Sequence, residues 1–186
     1  VAHGPIVADG DDRRPGAQAA GQHGSRRGEH VLTVNEVRAV FPGEVRLRFD
    51  ASYEPVVLGQ TLFIPSMVTD SVTALDTETG DVRWQFFAEG PVRLAPVAWQ
   101  GHVYFVSDDG HLYCVAADSG RLAWKFHGRP PGTQDRKILG NQRLVSLWPA
   151  WGGPVLKDGV LYFGCGIWSA YGVCVHAVDA GSGRLL

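Results

Sequence analysis

The sequence predicts an all-β chain of short antiparallel strands, and three observations carry that expectation. Turn-formers are abundant, since Gly (24) and Pro (11) together exceed a sixth of the 186 residues. Aromatic bulk is ample, with six Trp, eight Phe and five Tyr to fill a core. Turn residues and aromatics in such numbers fit many short strands and not a helical bundle. The third observation is a unit that repeats from residue 55 onward. Composition also bounds the partners. The formal net charge is −2 and charged residues make up 19% of the chain, which leaves no electrostatic footprint for nucleic acid or an anionic lipid surface. No apolar run approaches the roughly 20 residues that a membrane-spanning helix needs.

Residues 1–30 hold Val1, Ile6 and Val7 as their only large aliphatics. Such a stretch buries too little apolar surface to offset chain entropy, so it is expected to be disordered. Its basic pair Arg26-Arg27 and its histidines His3, His23 and His30 show no recurring ligand spacing, and a solvated tail accounts for them. Residues 31–54 form a lead-in. Thr33 and Glu36 have capping-box spacing for a short helix over 34–41, and Val45-Arg46-Leu47-Arg48-Phe49 alternates as one strand. A first residue of Val, with no basic-then-apolar leader, reads as an internal piece of a longer chain.

From residue 55 the units follow in order. The first opens with Pro55-Val56-Val57, passes Leu62-Phe63-Ile64 and reaches Ala74-Leu75-Asp76, then Gly80 and Trp84. The second opens with Pro96-Val97-Ala98, passes Val103-Tyr104-Phe105 and Cys114-Val115-Ala116, and ends on Gly120 and Trp124. The third opens with Pro154-Val155-Leu156, passes Leu161-Tyr162-Phe163 and Ala177-Val178-Asp179, and reaches Gly183. Trp stands four residues after Gly in the first two units; in the third that position would be 187, one past the last residue. A spacing of about 40 residues is the size of one four-stranded propeller blade. The expected architecture over 55–186 is therefore a partial β-propeller of about three four-stranded antiparallel blades, the last one short.

The pattern A-L-D-x-x-T-G-x-x-x-W resembles the repeat of PQQ-binding-like β-propellers, a superfamily that includes quinoprotein alcohol dehydrogenases and the propeller lipoprotein of outer-membrane protein assembly. Ala74, Asp76, Thr79, Gly80 and Trp84 match the whole motif, while the second unit departs from it at Cys114, Ala116 and Ser119. The resemblance implies that Trp84 and Trp124 dock on neighbouring blades, and that Asp76, Gly80, Gly120, Asp179 and Gly183 shape turns. It also implies a periplasmic or secreted location, and the remaining blades of a complete propeller as partners.

The other conspicuous residues have structural explanations. Cys114 takes the small-residue slot of Ala74 and Ala177, as a buried inert thiol would. Asp108, Asp109 and Asp118 fall in Gly-containing turns without calcium-loop spacing. His102 and His111 flank a hairpin, and His176 alternates along a strand. Cys165 and Cys174 bracket an expanded hairpin with Trp168 and Tyr171, and are read as two reduced thiols that an oxidising compartment would join. No metal site is expected.

One segment breaks the period. Pro96 to Pro154 is longer than Pro55 to Pro96, and the excess lies in an insertion over 127–151. Arg129, Arg136, Lys137 and Arg143 stand there against one acid, Asp135, with Trp148 and Trp151 close behind. Long insertions in a rigid scaffold often carry function. These six residues are the candidate ligand-binding set, suited to a protein or a small anionic ligand. Two functions are open. One is a non-catalytic binding or scaffold module. The other is a fragment of a quinoprotein dehydrogenase that oxidises alcohols or sugars with PQQ and calcium in the complete protein. Against the second stands the absence of an adjacent Cys-Cys pair and of a C-x-x-C-H haem site.

Overall fold

The computed structural model describes residues 54–140 and 143–186; the tail, helix and strand expected within 1–53 lie outside them. The first sheet comprises β1 (Val56–Leu58), β2 (Thr61–Ser66), β3 (Ser71–Asp76) and β4 (Val82–Phe87). The second comprises β5 (Val97–Trp99), β6 (His102–Val106), β7 (His111–Ala116) and β8 (Leu122–His127). Each is four-stranded, antiparallel and ordered as the chain runs. The insertion supplies an unexpected hairpin of its own, β9 (Lys137–Gly140) with β10 (Arg143–Ser146). The third sheet holds β11 (Val155–Lys157), β12 (Val160–Cys165) and β13 (Cys174–Asp179), with Leu185 bridging back to Val178.

The same turn recurs after β3, β7 and β13, even where its sequence decays. Gly80, Gly120 and Gly183 each donate N–H to the carbonyl four residues earlier, on Asp76, Ala116 and Asp179 respectively. Asp76 Oδ1 adds bonds from the amides of Glu78 and Thr79, and Arg83 holds its other oxygen. The Arg83 hydrogen bond, followed by those amides, lowers the Asp76 pKa to about 2. Ala116 has no side chain to offer, yet the backbone bonds persist.

Two cores lie between sheets. Phe63, Val72 and Trp84 of the first pack with Val103, Phe105 and Tyr113 of the second. Tyr104, Leu112 and Cys114 of the second pack with Leu161, Phe163 and Val178 of the third. Trp84 Nε1 donates to Ala117 O, which follows β7 of the second sheet, at 3.0 Å. Its indole also covers Gly120, where an added Cβ would fall 2.7 Å from the ring. Trp124 covers Gly183 in the same way at 2.6 Å. Gly120 thus answers two demands at once, a φ of +67° and room for an indole. Cys114 is fully buried in its small-residue slot, and burial pushes its thiol pKa up to about 12.

Candidate functional site

The insertion builds the site by crossing one face of the molecule and touching all three sheets there. Arg143 reaches the β2–β3 turn of the first sheet, where its guanidinium grips Asp70 bidentately at 2.6 and 2.7 Å. It also donates to Met67 O at 2.8 Å. Ser146 N and Ala150 N donate to Asp108 O and Ser107 O in the β6–β7 turn of the second sheet. Pro149 O accepts from Gly166 N, and Trp148 Nε1 donates to Tyr171 O at 2.8 Å, both on the β12–β13 hairpin of the third.

Beneath it lies the β6–β7 turn, Ser107-Asp108-Asp109-Gly110. The turn is closed by Gly110 N to Ser107 O at 3.0 Å, as the residues predict. Its burial is the new finding, since Asp108 and Asp109 are only 3% and 2% exposed. Two connections enclose it. The β4–β5 connection packs one side, with Asp108 N donating to Pro91 O and Ser107 Oγ to Gly90 O. The insertion packs the other so tightly that a Cβ on Gly110 would lie 2.9 Å from Ser146 Oγ.

Buried carboxylates need partners, and each Asp has its own. Arg93, itself buried, donates Nε to Asp108 Oδ2 at 2.5 Å. Burial raises the Asp108 pKa against the opposing pull of Arg93 and of the Trp151 side chain. Asp109 Oδ2 accepts from Tyr113 Oη at 2.5 Å and from Glu89 N, while Oδ1 accepts from His111 N at 2.9 Å and lies 3.2 Å from His111 Nδ1. Burial opposes the Asp109 charge, but the bonds from His111 and Tyr113 prevail and its pKa is lowered. The rings of His111 and His127 meet edge to face at 4.4 Å. His127 Nε2 sits 3.2 Å from Asp135 Oδ1 without a hydrogen bond to it. Burial, then His111, lowers the His127 pKa. Tyr113 Oη and His111 Nδ1 thus both meet the one carboxylate of Asp109 and brace the turn against which the insertion packs. Among the described residues no three His, Cys, Asp or Glu side chains converge as a metal would require.

The six candidate residues are not gathered at one point. Arg143 is committed to Asp70, and Trp148 is buried at 5% exposure against the third sheet. Lys137 Nζ lies 4.0 Å from Glu89 Oε2, while Lys125 Nζ holds the other oxygen, Oε1, at 2.9 Å. Arg129 and Arg136 are exposed, and their guanidinium groups pair with no carboxylate among the described residues. Trp151 is 45% exposed beside Asp108. Leu139 and Leu144 stand opposite each other on β9 and β10 and face solvent at 75% and 64% exposure. Their chain neighbours Ile138 and Val145, paired with each other, face inward, because strand residues alternate. Arg93 was missed by repeat reading, since it falls in the connection Gly90-Pro-Val-Arg-Leu-Ala-Pro96. A lone cation among apolar residues and prolines was the available signal.

A family model described as outer membrane protein assembly factor BamB matches residues 17–186. The dehydrogenase subunit of a quinone alcohol dehydrogenase from Gluconobacter oxydans is 31% identical over 125 residues, covering 60% of this chain and 16% of that relative. The corresponding subunit from Gluconacetobacter polyoxogenes is 30% identical over 125 residues, with the same 60% and 16% coverage. The chain therefore spans only a small part of the length of these curated relatives. Among solved structures, a quinohemoprotein alcohol dehydrogenase from Pseudomonas putida HK5 superposes with a TM-score of 0.58 at 23% identity, covering 75% of this chain and 20% of that one. A europium-containing methanol dehydrogenase gives 0.56 at 19% identity, covering 70% and 23%. These structural likenesses establish the fold, a partial β-propeller whose blades are the three sheets.

Proposed function

The chain belongs to the family of PQQ-type β-propeller repeats described as outer membrane protein assembly factor BamB, and from that premise we propose that its capped face is a non-catalytic binding surface for an anionic protein segment or small ligand. One observation carries this reading: the insertion spans three blades on one face while Arg129 and Arg136 point outward without carboxylate partners among the described residues. A carboxylate arriving there meets guanidinium forks carried on backbone that is hydrogen-bonded to His127 and Leu147. Lys137 and Trp151 extend the surface, while Arg143 and Trp148 hold the insertion in place.

The second reading, a blade segment of a quinoprotein dehydrogenase, is favoured by the likeness to quinone alcohol dehydrogenase subunits. PQQ is a tricarboxylate, so Arg129 and Arg136 suit its charge. The calcium that accompanies it is not provided for, since no acidic cluster of sufficient size occurs among the described residues. No catalytic step is therefore assigned to this chain. Family membership supports a periplasmic or secreted location, where the remaining blades would be the nearest partners.

Titration of the purified protein with PQQ, with and without calcium, separates the readings. Saturable calcium-independent binding, lost when Arg129, Arg136 and Lys137 are changed together to Ala and without dye-linked alcohol oxidation, supports the module. Calcium-dependent binding with alcohol oxidation supports the dehydrogenase. PQQ binding that survives the triple change removes the proposed surface.

A further inference from the structure

We propose that Cys165 and Cys174 form an intrachain cross-strand disulfide on oxidation, a covalent staple across the β12–β13 hairpin. The two cysteines are direct Cα partners at the loop end of the hairpin, the last pair before the connection over 166–173. Paired residues of antiparallel strands project to the same side, with Cα atoms about 4.5–5.5 Å apart, inside the range a disulfide accepts. Two further contacts fix which side that is. The Cys165 Sγ lies against Gly128, leaving no room for a Cβ there. His176, two residues beyond Cys174 and so on the same face, meets Gly128 O through Nε2 at 2.7 Å. Both thiols therefore face Gly128, where the insertion leaves β8. The remaining thiol, Cys114, lies on β7 between Tyr104 and Trp124 and is no part of this pair.

The chemistry follows from accessibility. Cys165 is fully buried, and burial lifts its thiol pKa to about 12; Cys174 is half-buried and meets the oxidant first. The Cys174 thiolate attacks one sulfur of a disulfide such as oxidised glutathione, breaking that S–S bond and releasing one thiolate. Cys165 then loses its proton to solvent and attacks the Cys174 sulfur, releasing the second. Two electrons pass from the pair to the oxidant, which ends as two thiols. The loop so closed carries Gly166 and Tyr171, which hold Pro149 and Trp148 of the insertion. The staple consequently tightens the base of the capped face, whatever binds there.

The test equilibrates the intact protein in glutathione buffers from fully reduced to fully oxidised, traps free thiols with N-ethylmaleimide, and maps tryptic peptides by mass. The expected result is that peptide 158–184 becomes lighter by two hydrogens and loses both alkylation sites, while Cys114 stays a free thiol. C165S and C174S should each abolish that product, and C114S should leave it intact. Chymotryptic cleavage after Trp168 and Tyr171 should slow several-fold on oxidation in the wild-type protein and not in C174S. Three alkylatable thiols throughout the series, a bond involving Cys114, or only intermolecular products would overturn the proposal.

Discussion

The indole of Trp84 closes the gap between the first two blades by lying on Gly120 and reaching Ala117 O. Its removal opens a cavity in a shared core, so Trp84→Ala should lower stability by about 3–5 kcal/mol in urea denaturation. The two turn glycines of these blades separate conformation from packing. Gly80 has φ +76° but open space around a would-be Cβ, whereas Gly120 meets the Trp84 ring. Gly80→Ala should cost only the left-handed strain, about 1–2 kcal/mol, and Gly120→Ala distinctly more. Equal losses would show that the contact is irrelevant. The Arg93–Asp108 pair is buried on both sides, so removing one partner leaves a stranded charge. Asp108→Ala should cost about 3–5 kcal/mol, and the double change Arg93→Met with Asp108→Leu much less. Asp109 sets an acid limit. Its folded-state pKa lies below its ordinary carboxylate value of about 3.9, so its contribution is complete above that value and fades as pH falls through the lowered one. Acid unfolding of Asp109→Asn should accordingly show a shallower dependence in that window.

At the scale of elements, the insertion is bound at both ends and at its hairpin. Arg143 anchors the hairpin to the first blade through a partly exposed pair, worth at most about 1 kcal/mol globally. Arg143→Ala should therefore leave the melting temperature nearly unchanged while speeding hydrogen exchange at the amides of β9 and β10. Unchanged exchange would mean that the turn contacts hold the insertion alone. The blades were legible in the sequence because Pro, the aromatic strand, Gly and Trp recur at fixed spacing, and each is tied to one local geometry. The insertion was legible only as an interruption. Its hairpin escaped notice because Lys137–Gly140 and Arg143–Ser146 are short and Leu139 and Leu144 face outward, against the usual pattern of an isolated pair. The burial of Asp108 and Asp109 was hidden for another reason. Turn chemistry reads the same in water as under a cap, and the cap comes from residues distant in sequence, Pro91 and Ser146.

In the whole molecule the blades stack as neighbours, and each core involves only an adjacent pair. Stability should then be nearly a sum over interfaces. Phe63→Ala acts in the first core and Phe163→Ala in the second, so their double mutant should equal the sum within about 0.5 kcal/mol. A larger coupling would point to the shared second blade transmitting strain. The outer blades leave Val57, Val82 and Phe87 exposed on one side and Val155, Tyr162 and Val175 on the other. Apolar surface of that extent favours association, so the chain studied alone should sediment as larger species at rising concentration. The Trp–Gly contact has one more consequence. The first two blades each offer a plug, the Trp, to the blade that follows, and the second and third each offer a socket, the turn Gly, to the one before. All plugs face one way along the chain. A cassette cut to include one blade's socket and its own plug therefore carries both halves of its fittings, and blades could be shuffled, duplicated or transplanted between relatives without redesigning the joints.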